Sequence, residues 1–162
     1  MTQRTFPTSI DIPEAQRAQL VSLLNDRLSD TFDLYSQLKQ AHWNVKGSDF
    51  IQLHELFDQL ATTMLGHVDL VAERSTALGG TALGTVRLAA ERSTLPEYPL
   101  DAVGGLEHVR ALVERYGAYA RRVRQAIEDA DKLGDSDTAD LFTEISRATD
   151  KDLWFLEAHV QA

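Results

Sequence analysis

Residues 38–60 read "LKQAHWNVKGSDFIQLHELFDQL", and this stretch decides the fold. Apolar residues at helical spacing flank Gly47-Ser48-Asp49, a glycine stop followed by residues suited to cap a new helix. Working back from the glycine, Val45, His42, Leu38, Tyr35, Thr31, Leu28, Leu24 and Val21 recur in alternating steps of three and four. That rhythm marks one face of a helix. Its start falls near Pro13-Glu14, where the missing N–H of proline costs nothing. Working forward, Phe50, Phe57, Ala61, Met64, Val68, Val71 and Ser75 mark a second helix over Asp49 to Leu78, closed by Gly79-Gly80. The stretch therefore predicts an antiparallel helix hairpin. It also puts His42 on the inward stripe, where a core wants a leucine.

The rest of the chain extends the pattern. Residues 79–102 form a long connection holding Pro96 and Pro99, and its centre, "TVRLAAER", suits a short helix. A connection this long is unusual in a compact domain and points to an interface role. A third helix is predicted over Val103 to Leu133, with Leu106, Val109, Leu112, Val113, Tyr116, Ala120, Val123 and Ile127 on its core face. "GDSD" breaks it, and a fourth helix follows over Asp137 to Val160, carrying Leu141, Ile145, Leu153, Leu156 and Val160. Short turns at both ends and one long crossover in the middle predict an all-α, ferritin-like four-helix bundle with a short extra helix in the connection. The expected domain covers residues 14–162, behind a flexible N-terminal tail over 1–13.

Composition narrows the chemistry. The chain has 162 residues, enough to bury a real core. It has no cysteine, which removes disulfides, thiolate metal sites, iron–sulfur clusters and cysteine nucleophiles. No apolar run approaches a bilayer span, and "MTQRTFPTSIDIP" lacks the apolar core of a signal peptide, so a cytoplasmic protein is expected. The net charge of −9 attracts cations and repels nucleic acid backbones. The densest basic stretch, Arg121-Arg122-Val123-Arg124, lies inside a helical pattern and reads as a solvated face.

Four candidate metal ligands cluster on the second helix: His54, Asp58, Asp69 and Glu73. Each pair is spaced i, i+4, and all four fall on one arc at the edge of the apolar stripe. His42 and His54 lie nearly equally far from the turn, so an antiparallel hairpin lets them face each other. Two histidines meeting beside a carboxylate suit Fe, Zn or a similar ion. Asp58 and Asp69 stand roughly 16 Å apart along the axis and cannot share an ion within one chain. Both pairs are centred between Thr63 and Met64, however. A two-fold axis there would join His42, His54 and Asp58 of one chain to Asp69 and Glu73 of a second copy, giving two equivalent sites. The sequence also lacks the Glu-x-x-His pairs of an intrachain di-iron bundle.

"KQAHWNVKG", "FIQLHELFDQL" and "HVDLVAERSTALGG", then "YPLD" and "DKDLWFLE", resemble the Dps proteins, the mini-ferritins of starved bacteria. The likeness runs from about Leu20 to the C-terminus. It implies a hollow homododecamer built from two-fold dimers, and ferroxidase sites between subunits formed by His42, His54, Asp58, Asp69 and Glu73. It also implies Fe(II) and hydrogen peroxide as substrates and ferric mineral in the cavity, while the donor types themselves admit zinc as a competing ion. Trp43 would catch a stray oxidising equivalent, or simply pack at a subunit interface. Asp140, with Glu144 one turn on, would line a three-fold pore, or else stand as solvated acids favoured by the helix dipole. DNA-condensing relatives often carry a lysine-rich extension, whereas this tail has one arginine, so DNA binding is expected to be weak or absent. The alternative is a nucleoid-associated, DNA-protecting particle with little ferroxidase activity. His67, His108 and His159 receive no role, and Trp154 is assigned to packing.

Overall fold

The computed structural model describes residues 4–161 as α1 (Glu14–Asn44), α2 (Phe50–Ala77), α3 (Val86–Arg92), α4 (Gly105–Lys132) and α5 (Ser136–Glu157). Among the described residues the one β feature is an isolated bridge between Lys46 and Gly104. The chain is therefore all-α, with α1 packed along α2 and α4 along α5. Gly47, at φ +114°, makes the turn between the first pair, a conformation that favours glycine.

Side-chain hydrogen bonds mark the starts of α3, α4 and α5. Thr85 caps α3 by accepting from the Leu88 N–H at 3.3 Å. At the head of α4 the Glu107 carboxylate accepts from the N–H groups of Val103 and Gly104 at 2.8 and 2.9 Å. Asp135 caps α5 by accepting from the Thr138 N–H at 3.2 Å and takes two 2.8 Å hydrogen bonds from the Arg74 guanidinium. That last contact fastens the end of α2 to the start of α5.

The core runs through the bundle as Leu20, Leu24, Leu28, Leu34 and Leu38 on α1, Phe57, Leu60 and Met64 on α2, Tyr116 and Tyr119 on α4, and Phe142 and Ile145 on α5. The long crossover is held by polar groups of α1. Asn25 donates to Thr81 O and accepts from the Leu83 N–H, Asp30 accepts from the Thr94 N–H, and Gln37 donates to Pro96 O. Each bond satisfies a backbone group that an irregular segment would otherwise leave unpaired.

Three sequence expectations need correction. Phe50 and Leu106 are not core residues; they are 40% and 46% exposed at the ends of α2 and α4. The third long helix starts at Gly105 instead of Val103, because Val103 O accepts from the Lys46 N–H and serves the turn. The fourth starts one residue early, at Ser136, and ends at Glu157, short of Val160. Residues 1–3 of the expected tail lie outside the described residues; within 4–12, Phe6 N–H donates to Gly79 O at 2.8 Å, and Arg17 donates to Ile12 O and Leu78 O.

Candidate metal centre

The turn at Gly47 sets the register of α1 against α2, and that register decides which side chains meet. His42 and His54 stack with ring centroids 3.8 Å apart and planes 20° from parallel. Each ring bonds the main chain of the other residue: His42 Nδ1 lies 2.7 Å from His54 O, and His54 Nδ1 lies 2.8 Å from His42 O. A carbonyl oxygen only accepts, so both Nδ1 atoms must carry the proton. In the neutral rings both Nε2 lone pairs are left free, the arrangement that metal-binding histidines use. Phe50 packs on His54 at 5.0 Å, closing one side of the pair.

Asp58 lies one turn beyond His54, with Oδ1 4.0 Å from His42 Nε2. The same oxygen accepts a 2.6 Å hydrogen bond from Lys39 Nζ. That bond holds the Asp58 carboxyl below the usual carboxylate range, with the histidine rings adding a smaller pull. Lys39 also lies over the Trp43 ring, 5.6 Å from its centroid. Trp43 itself is 63% exposed.

Asp69 and Glu73 sit farther along α2, exposed, and their carboxylates make no hydrogen bond or ion pair among the described residues. Among the described residues no group of three or more His, Asp or Glu closes on one ion within a single chain. The structure thus brings together His42, His54 and Asp58 and leaves Asp69 and Glu73 apart, as the axial spacing along α2 demands. Imidazole nitrogen and carboxylate oxygen with no sulfur nearby are the donor types that Fe or Zn takes, although these three do not by themselves close on one ion. Asp140 and Glu144 are exposed on the first turns of α5.

Sequence reasoning passed over two residues here. Lys39 stands one turn before His42, a spacing visible in the sequence, yet a helical lysine usually reads as a solvated cation. His108 is 1% exposed, takes a 2.6 Å hydrogen bond with the Tyr98 hydroxyl at Nδ1, and meets the edge of Phe57. Burial holds its pKa below the ordinary histidine value. It pins the long connection to α4 and to the floor beneath α2.

A model of the ferritin-like domain matches residues 21–162, so fold and sequence together define a ferritin-like protein. The chain is 46% identical to the DNA protection during starvation protein of Agrobacterium fabrum over 158 residues, covering 98% of both chains. Among solved structures, DpsA14 from Streptomyces coelicolor superposes with a TM-score of 0.93 at 32% identity, over 99% of this chain and 95% of that one. The Dps protein of Vibrio cholerae, described as a member of a broad superfamily of ferritin-like diiron-carboxylate proteins, matches with a TM-score of 0.89 at 25% identity, over 95% and 96%. The chain belongs to the Dps family.

Proposed function

We propose that this protein is a ferroxidase and iron-storage mini-ferritin. It oxidises Fe(II), with hydrogen peroxide as the oxidant, at sites shared by two subunits, and stores ferric mineral inside a hollow dodecamer. The observation that carries this reading is the crossed imidazole pair. Each backbone carbonyl fixes its neighbour's tautomer, so His42 and His54 present two Nε2 lone pairs beside the Asp58 carboxylate. A packing histidine does not need that arrangement. Asp69 and Glu73 are exposed and unengaged among the described residues, which suits ligands offered to a second copy. Family membership supports iron handling in general.

In this reading His42 and His54 bind Fe(II) through Nε2, and Asp58, with the partner copy's acidic pair, supplies hard oxygens that favour Fe(III) once it forms. The balanced step takes two Fe(II), one hydrogen peroxide and two protons to two Fe(III) and two waters. Because both electrons go to one peroxide, no hydroxyl radical is released. Trp43, close to His42, is positioned to take up a stray oxidising equivalent. Asp140 and Glu144 would line a carboxylate way into the cavity, and the formal charge of −9 on each chain steers cations toward it. Zinc, lacking redox chemistry, would compete for the site without turning over. The protein works in the cytoplasm, as a bundle domain over 14–162 behind the 1–13 tail.

The second reading, a DNA-protecting particle on the nucleoid, is favoured by the name of the Agrobacterium relative. The single arginine in residues 1–13 weighs against it. Stopped-flow oxidation of Fe(II) by peroxide separates the two. His54→Ala and Asp58→Ala are expected to lose most of the fast phase, and rates equal to wild type in both would refute the assigned site.

A further inference from the structure

Lys39 places a cation against Asp58, one of the proposed ligands, and the mechanism above does not use it. Its ammonium lies 2.6 Å from Asp58 Oδ1, the same oxygen that is 4.0 Å from His42 Nε2. The Lys39 side chain is only 20% exposed, and Asp58 is its one carboxylate partner among the described residues. On the other side Nζ stands 5.6 Å from the centroid of the Trp43 ring, within the range of a cation–π contact. Lys39, His42 and Trp43 occupy i, i+3 and i+4 of α1, one helical turn, so all three share a face. The four-carbon stem of Lys39 reaches both the carboxylate and the indole face with no change in the backbone.

We propose that Lys39 is a placeholder cation. Its ammonium and a divalent metal ion compete for Asp58 Oδ1, and the ring of Trp43 receives the ammonium when the ion wins. This rests on the reading of Asp58 as a metal ligand. The physical reason is charge. An ammonium 2.6 Å from that oxygen occupies the space where a divalent ion must sit, and two cations there repel strongly. Without metal, the ammonium holds Asp58 Oδ1 beside His42. With metal, it moves away by side-chain rotation alone. Lys39 thereby weakens metal retention, which suits a site that must pass its ion on to a mineral. It also couples the metal site to Trp43, because any movement of the ammonium between the carboxylate and the indole face changes the field at that ring.

The test uses the purified full chain and Zn(II), which binds without redox chemistry. Calorimetry measures affinity, and tryptophan emission in a Trp154→Phe background reports on Trp43, since the chain has two tryptophans. With Lys39 present, zinc should change the Trp43 emission. Lys39→Met should bind zinc about tenfold tighter and lose that emission change, while Lys39→Arg should keep both the weaker binding and the response. Unchanged affinity or an unchanged emission response in Lys39→Met, with binding still abolished in His54→Ala, overturns the placeholder and leaves the metal site standing. Zinc binding that is absent throughout, or equal in His54→Ala and wild type, overturns the metal site and the placeholder together.

Discussion

Asp135→Ala is expected to be among the most damaging single substitutions outside the apolar core. Asp135 is 3% exposed and takes two 2.8 Å hydrogen bonds from Arg74. It also accepts from the Thr138 N–H and hydroxyl, while Arg74 Nε donates to Thr138 Oγ1 at 2.9 Å. Burial pushes its carboxyl up, and the bonds from Arg74 and Thr138 outweigh that and hold it below the usual range. Alanine removes the α5 cap, a loss of about 1 kcal/mol. It also strands a guanidinium whose side chain is 17% exposed, and breaking a buried pair from one side costs about 3–5 kcal/mol, the cap included. For a chain of this size the melting temperature should fall by on the order of 10 °C. The assay is thermal and urea unfolding at fixed protein concentration. Because the native pKa is lowered, the stability from this group is fully present above the unfolded carboxylate value and is lost as pH falls from there through the lower native value. The difference between wild type and variant should therefore shrink in acid. Arg74→Met combined with Asp135→Leu should recover part of the loss. A cost below about 1 kcal/mol for Asp135→Ala at neutral pH would refute the reasoning.

Other outcomes can be stated briefly. Burial pushes the Asp152 carboxyl up to about 6, with the Tyr116 hydroxyl pulling partly the other way. The native state then holds a proton that the unfolded chain releases, so this group's contribution falls as pH rises from about 4 to 6. Asp152→Asn should remove that slope, a difference on the order of 2 kcal/mol read from unfolding curves at the two pH values. Asp140→Asn with Glu144→Gln should slow iron uptake severalfold at limiting Fe(II) without changing zinc affinity at the proposed site around His42, His54 and Asp58; equal uptake rates would remove the pore assignment. The assembled particle should fail to shift duplex DNA at physiological salt, and a tight shift there would restore the nucleoid reading.

The helix order was legible because the stripe through Val21, Leu28 and Leu38 keeps a strict rhythm, and glycine marks the stops at Gly47 and Gly134. The meeting of His42 with His54 was legible too, since distance from a tight turn sets register in a hairpin. Phe50 and Leu106 were misplaced because periodicity does not say where the partner helix ends, and both lie in the first turn of their helices. The anchors of the crossover were hidden for a related reason. Asn25, Asp30 and Gln37 look like solvent-facing polar residues, yet they are buried against backbone that no pattern predicts. Lys39 was missed because its role depends on one carboxylate of the neighbouring helix.

Ownership of the site is the central claim, and mixing two defective variants tests it. His54→Ala spoils the histidine side of each site, and Glu73→Ala spoils the acidic side. In a two-fold dimer containing one of each, the intact histidines of one chain meet the intact acids of the other. Random co-assembly of equal amounts should restore about one quarter of the wild-type sites, read as the fast phase of peroxide-driven Fe(II) oxidation. Recovery near that fraction is the predicted result; a co-assembled particle no faster than the two separate variants would contradict a site shared between chains.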